Sequence, residues 1–139
     1  MMKPFERIEH TADAGLRVYG KTEEELFENG AKGMTDIMAQ GIGKGIPILR
    51  EISIPTADLE TLFFEWLKET LHLFNRDGFL FWKIKKFEIT EKTLVAEVEG
   101  EILDSKRLEL GLEIKAVTLH QFSVVHTDKG YEAQVIFDV

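Results

Sequence analysis

Two stretches of this 139-residue chain repeat their apolar residues at helical spacing, and most of the remainder alternates with a period of two. A helix opens near Thr22, from which Leu26, Phe27, Gly30, Ala31, Met34, Ile37 and Met38 fall on one stripe. Thr22 with Glu25 three residues on is a capping-box pattern, and Glu23 and Glu24 suit the positive end of a helix dipole. Gly41 stands where a C-cap is expected. The second helix, over about residues 58–75, buries Leu59, Leu62, Phe63, Trp66, Leu67, Thr70, Leu71 and Phe74. Asp77-Gly78 is a turn signal just beyond it.

Around these helices the pattern is that of strands. Residues 5–10 and 16–19 read as two short ones, joined by a turn containing Asp13-Ala14-Gly15, with Gly15 able to take a positive φ. Ile48, Arg50, Ile52 and Ile54 alternate until Pro55. Residues 79–89 and 93–103 form a long hairpin, 112–119 another strand, and 122–126 its continuation after a bend. Asp128-Lys129-Gly130 is a hairpin turn, after which Tyr131, Ala133, Val135 and Phe137 alternate. The expectation is a single α+β domain over residues 1–139, with two amphipathic helices packed on one face of a largely antiparallel sheet.

Composition narrows the function classes. Cysteine is absent, which excludes disulfides, thiolate zinc sites and cysteine nucleophiles. No apolar run reaches the roughly 18 residues of a membrane span, and the N-terminus lacks the apolar core of a signal peptide, so a cytoplasmic location is expected. A net charge of −8 repels a phosphate backbone, and the densest basic cluster, Lys83-Ile84-Lys85-Lys86, is followed closely by Glu88 and Glu91. Direct RNA binding is expected to be weak or absent; a protein partner suits the charge better.

Few residues carry chemistry. The strand pattern of residues 131–138 continues into Asp138, which would hold that carboxylate beside the α-carboxylate of Val139. Asp13 beside a glycine is either a turn former or a ligand, and its spacing does not separate the two. Among the histidines, His72 reads as a surface or boundary residue of the second helix and His126 as solvated, whereas His10 and His120 fall at strand ends where they are candidates to line a site. Gly41-Ile42-Gly43-Lys44-Gly45 follows a helix and precedes a strand, the reverse of a phosphate-binding loop, and reads as a mobile loop. No nucleophile–base pattern surrounds Ser53, Ser105 or Ser123.

Three segments together resemble the archease family: His10-Thr11-Ala12-Asp13-Ala14-Gly15-Leu16-Arg17; Gly100-Glu101 with Asp104, followed by Lys115-Ala116-Val117-Thr118-Leu119-His120; and Ala133-Gln134-Val135-Ile136-Phe137-Asp138-Val139. The likeness spans essentially the whole chain. It departs at Leu119, where the family usually has tyrosine, and at Leu108, where it often has histidine. The resemblance implies a non-catalytic accessory protein that activates an RtcB-type RNA ligase in tRNA splicing and RNA repair, promoting guanylylation of the ligase's active-site histidine and multiple turnover. It also implies a divalent metal held by Asp13, Asp138 and Val139, with Asp104 lining the site beside His10 and His120. An oxygen-only ligand set suits calcium first, with magnesium or manganese as alternatives, and disfavours zinc. The competing readings are a chaperone or specificity factor for a tRNA methyltransferase, a free-standing metal-dependent hydrolase and an oligomeric binding domain.

Overall fold

The computed structural model describes residues 3–9, 13–104 and 106–139. In chain order it runs β1 (Phe5–Glu9), β2 (Asp13–Gly20), α1 (Glu23–Met38), β3 (Ala39–Gln40), β4 (Ile48–Pro55), α2 (Leu59–Asp77), β5 (Phe79–Ile89), β6 (Thr93–Ile102), β7 (Glu109–Leu110), β8 (Ala116–Val117), β9 (Ser123–Thr127) and β10 (Gly130–Asp138). Among the described residues no helix is long and apolar enough to cross a membrane.

The fold class is α+β, as the pattern predicts. The strands divide into separate sheets: a five-stranded one ordered β1-β2-β10-β8, with β9 also on β10; a three-stranded one ordered β4-β6-β5; and the small β3-β7 ribbon. Every pairing is antiparallel. Both larger sheets turn alternate residues inward to the helices. Leu16, Val18, Val135 and Phe137 from one, and Ile52, Leu94, Ala96 and Val98 from the other, share a single core cluster with Phe27, Met34, Phe63, Trp66 and Leu67 of the helices. Aromatic rings form its centre: Phe27 lies 5.4 Å from Phe63, 5.6 Å from Trp66 and 5.5 Å from Phe87, centroid to centroid. Such pairs add to the burial of large apolar surface. The fully buried Trp66 donates its indole N–H to the Phe27 carbonyl oxygen at 2.8 Å, so no polar group is left unsatisfied where the helices meet.

Both helix starts are capped as their sequences predict. The Thr22 hydroxyl accepts from Glu25 N at 3.1 Å and the Asp58 carboxylate from Thr61 N at 2.9 Å. Helix α2 runs two residues past the expected end, to Asp77, and Gly78 closes it at φ 72° with its N–H on the Leu73 and Phe74 carbonyls. Helix α1 ends differently from expectation: extended Ala39, not Gly41, is its C-cap. Its carbonyls at Ile37 and Met38 accept from Leu112 N (2.9 Å) and Gly111 N (2.8 Å). A Cβ on Gly111 would sit 2.2 Å from the Ile37 oxygen, so only glycine fits there. Leu112 is thereby drawn out of the strand expected over 112–119, of which only Ala116–Val117 is in strand.

Candidate functional site

The site begins with a correction at Asp13. It does not lie in a turn; it is the first residue of β2, and Ala14 and Gly15 are already paired with Glu9 and Ile8. Gly15 does not have positive φ. It is small because a Cβ there would meet Ile136 Cδ1 at 2.9 Å and Ile8 Cβ at 3.3 Å.

Strand β10 pairs with β2 from Tyr131 opposite Gly20 through to Asp138 opposite Asp13. Directly opposed residues share a face, with Cβ atoms about 4.5–5.5 Å apart. Leu16, Val18, Val135 and Phe137 fill the inner face, so the alternation places Asp13 and Asp138 together on the outer one, Asp13 half-buried and Asp138 exposed. The far end of β10 is fastened from both sides. Asp138 also pairs with Ala116 of β8, and its carbonyl accepts from Lys115 N at 2.7 Å. Thr118 adds two bonds to the Ile136 carbonyl, from its N–H at 3.1 Å and its hydroxyl at 2.7 Å. Val139 follows at once, half-buried and packed against the core.

Further along the outer face the side chains satisfy one another. Arg17 reaches Glu6 at 3.4 Å and Gln134 at 3.3 Å, and the Tyr19 hydroxyl donates to Glu6 at 2.9 Å. That hydroxyl holds the Glu6 carboxyl below the ordinary glutamate range, while burial and then the Glu6 charge push Tyr19 up. The acidic pair stands at the end of this sheet face.

Of the other predicted positions, His10 lies outside the described residues. His120 is exposed in the turn after β8, its N–H on the Thr118 hydroxyl at 3.3 Å and followed by Gln121 at φ 52°. Asp104 belongs to another part of the molecule. Its carboxylate accepts from Lys106 N at 3.0 Å and its carbonyl from Arg107 N and Leu108 N, which shapes the loop after β6. Among the described residues no group of three or more His, Asp or Glu side chains is arranged to hold a metal ion. The register nonetheless brings together two carboxylates, Asp13 and Asp138, whose oxygens are hard donors. Such a set fits calcium, magnesium or manganese. The two departures from the family pattern separate cleanly: Leu108 is buried with Ala39 and Leu80 in a small second core, whereas Leu119 is 70% exposed.

Sequence reasoning missed Glu101. Glu97, Glu99 and Glu101 alternate identically on β6, yet Glu101 alone is buried, at 1% exposure. Its carboxylate accepts from Gly43 N at 2.5 Å, from the Trp82 indole at 2.6 Å and from the Arg107 guanidinium. Burial pushes this carboxyl up, but the Gly43 amide, Arg107 and Trp82 together outweigh it and hold it below the ordinary value of 4.5. The glycine loop expected to be mobile is thus anchored at its middle. Nothing in the local alternation marks Glu101; the only signals are its membership in Gly100-Glu101 and the arginine six residues on.

The chain matches the model of the archease protein family (MTH1598/TM1083) over residues 5–139. It is 38% identical to the archease of Methanosarcina barkeri over 141 residues, covering 99% of this chain and 97% of the relative. Against the archease of Thermococcus kodakarensis it is 36% identical over 142 residues, covering 99% of this chain and 100% of the relative. The fold is similar to the solution structure of Methanobacterium thermoautotrophicum protein 1598, with a TM-score of 0.79 at 33% identity over 99% of this chain and 100% of that one. It is also similar to the crystal structure of an archease, described as a possible chaperone, from Thermotoga maritima, with a TM-score of 0.68 at 27% identity over 100% of this chain and 98% of that one. This chain belongs to the archease family.

Proposed function

We propose that this protein is a non-catalytic activator of an RtcB-type RNA ligase, acting in the cytoplasm through the acidic end of its five-stranded sheet. In the step it promotes, a nitrogen of the ligase's active-site histidine attacks the α-phosphate of GTP, forming a P–N bond as the bond to pyrophosphate breaks. The observation that carries the reading is the register of β2 and β10, which sets Asp138 opposite Asp13. Those residues come from two segments far apart in sequence, and both segments carry the family resemblance.

Asp13 and Asp138, with a main-chain oxygen of Val139, would hold a divalent cation, calcium first and magnesium or manganese as alternatives. Such an ion, if bound, would supply positive charge to offset the charge of phosphate groups in the partner's site. The chain's own part is positional. The two carboxylates are held on a rigid sheet end by pairing on both sides of β10, ready to enter a partner's site without reorganising. The net charge of −8 suits a partner whose active site gathers metal ions and triphosphate-binding cations, and disfavours RNA as the direct ligand.

A multiple-turnover ligation assay with the cognate ligase, GTP and manganese tests this, with guanylylation followed in parallel. Stimulation that is lost in Asp13→Ala and Asp138→Ala, both still folded, is the expected result. Full stimulation by those variants would sink the site, and none by the wild-type protein would sink the function. The description of the Thermotoga maritima relative as a possible chaperone favours one second reading, a chaperone or specificity factor for a tRNA methyltransferase. Co-purification with that enzyme in preference to the ligase would select it.

A further inference from the structure

Strand β10 changes partner along one edge, and a single threonine sits at the change. On the side away from β2, residues 130–134 pair with β9 and residues 137 and 138 with β8, so Val135 and Ile136 fall between two ladders. β8 itself is only two residues long. The chain joining β8 to β9 turns away there, with Phe122 N on the Leu119 carbonyl at 3.2 Å. The pairing on this edge is thus interrupted immediately before the segment that presents Asp138.

Thr118 closes the interval. The Ile136 carbonyl accepts both its N–H, at 3.1 Å, and its hydroxyl, at 2.7 Å. A carbonyl oxygen has two lone pairs, and with both engaged by one residue the peptide between Ile136 and Phe137 is fixed in direction. The same hydroxyl accepts from His120 N at 3.3 Å, which ties the turn to the strand it fastens. The turn is held at its other end as well. The Gln134 side chain donates to the Gln121 carbonyl at 3.1 Å, and Phe122 lies against Phe63 and Phe64 of α2. Gln121 keeps a φ of 52°, a conformation in which asparagine, aspartate and glycine are commoner, and these contacts hold it there.

Fastening matters because of what lies two residues on. Asp138 faces Asp13, and like charges on directly opposed residues push a sheet end apart. A cation held by both carboxylates binds more tightly where their positions are set beforehand. We propose that Thr118 is the positioning residue of the acidic pair: its hydroxyl, bonded to the Ile136 carbonyl, keeps the end of β10 in place so that Asp138 stays opposite Asp13. It acts through the backbone of β10. The proposal rests on the reading of Asp13 and Asp138 as cation ligands, and it is independent of which enzyme the pair serves.

The test uses the full chain with Thr118→Val, Thr118→Ser and Asp138→Asn, and calcium chloride as the probe. Valine keeps the shape and β-branching of threonine without the hydroxyl, and the N–H of residue 118 still serves the Ile136 carbonyl. Melting in chelator should therefore fall by no more than about 4 °C. Calorimetry should give a calcium affinity about tenfold lower for Thr118→Val. Thr118→Ser should return to the wild-type value, and Asp138→Asn should bind more weakly still. Hydrogen exchange in chelator supplies a readout that needs no metal. The Lys115 amide, which donates to the Asp138 carbonyl at 2.7 Å, should exchange faster in Thr118→Val while amides within α2 keep their wild-type rates.

Wild-type calcium affinity, or wild-type Lys115 exchange, in Thr118→Val overturns the proposal and leaves the acidic pair standing. Exchange in α2 that rises in step with Lys115 also overturns it, because Thr118 would then serve the whole fold. Thr118→Ser behaving like Thr118→Val overturns the part given to the hydroxyl. A wild-type protein that binds none of calcium, magnesium and manganese overturns the cation reading, and this proposal with it.

Discussion

Asp138 lies directly across from Asp13 on adjacent antiparallel strands, two carboxylates where a sheet ordinarily sets opposite charges or apolar side chains. Like charges in that position cost roughly 0.2–1 kcal/mol. The pairing is nonetheless built in from both sides, since β8 fastens the same residue from its other edge.

Asp138→Asn, made in metal-free buffer, should therefore leave the protein as stable as the wild type or more so, by on the order of 0.5 kcal/mol. Urea unfolding with chelator present measures this. A loss of more than about 1 kcal/mol would mean that the carboxylate serves the fold rather than a ligand.

Calcium should raise the melting temperature of the wild-type protein and not that of Asp13→Asn or Asp138→Asn. Binding to the folded state alone at a hundredfold excess over Kd adds about 2.7 kcal/mol. Equal shifts in all three proteins would place any bound ion elsewhere.

Much of this was legible in the sequence, and the failures share one cause. Helix α2, the β5–β6 hairpin and the alternation of β10 follow from local periodicity and capping, and they emerge with boundaries within about two residues. Asp13 was misplaced into a turn because Asp and Gly favour turns locally, whereas β10 arrives from the other end of the chain and recruits them into a strand. Residues 112–115 stay out of the strand that their alternation predicts because the backbone donors of Gly111 and Leu112 go to the end of α1. The site pairing itself, and the burial of Glu101, depend on strand order and on a covering loop, neither of which periodicity encodes.

Acid unfolding should show the contribution of Glu101. Its carboxyl titrates below 4.5 when folded, so the stability it contributes is present above that value and is lost as pH falls through the lower, folded one. Glu101→Gln is expected to be less stable than wild type at neutral pH, with the gap narrowing as pH falls below 4.5. A gap that stays constant from pH 7 to 3 would show that the charge is not what matters.

Gly111→Ala forces a Cβ against the Ile37 carbonyl that the helix end needs free. A loss of about 1–3 kcal/mol is expected, from overpacking and a disturbed cap. Gly43→Ala, with nothing near its Cβ, should be milder and governed only by its positive φ of 111°. Chemical denaturation of the two variants side by side reads the difference.

The neighbourhood of β2 and β10 also has a history in time. Asp13 and Asp138 lie far apart in sequence, so β2 must wait until the intervening chain has been made, roughly 6–25 s at ordinary elongation rates, before its partner exists. A nascent or interrupted chain can make α1, α2 and the β5–β6 hairpin, but it cannot bring the two carboxylates together. The pair consequently reports on folding across the whole intervening chain: only a polypeptide made through β10 and folded can present it.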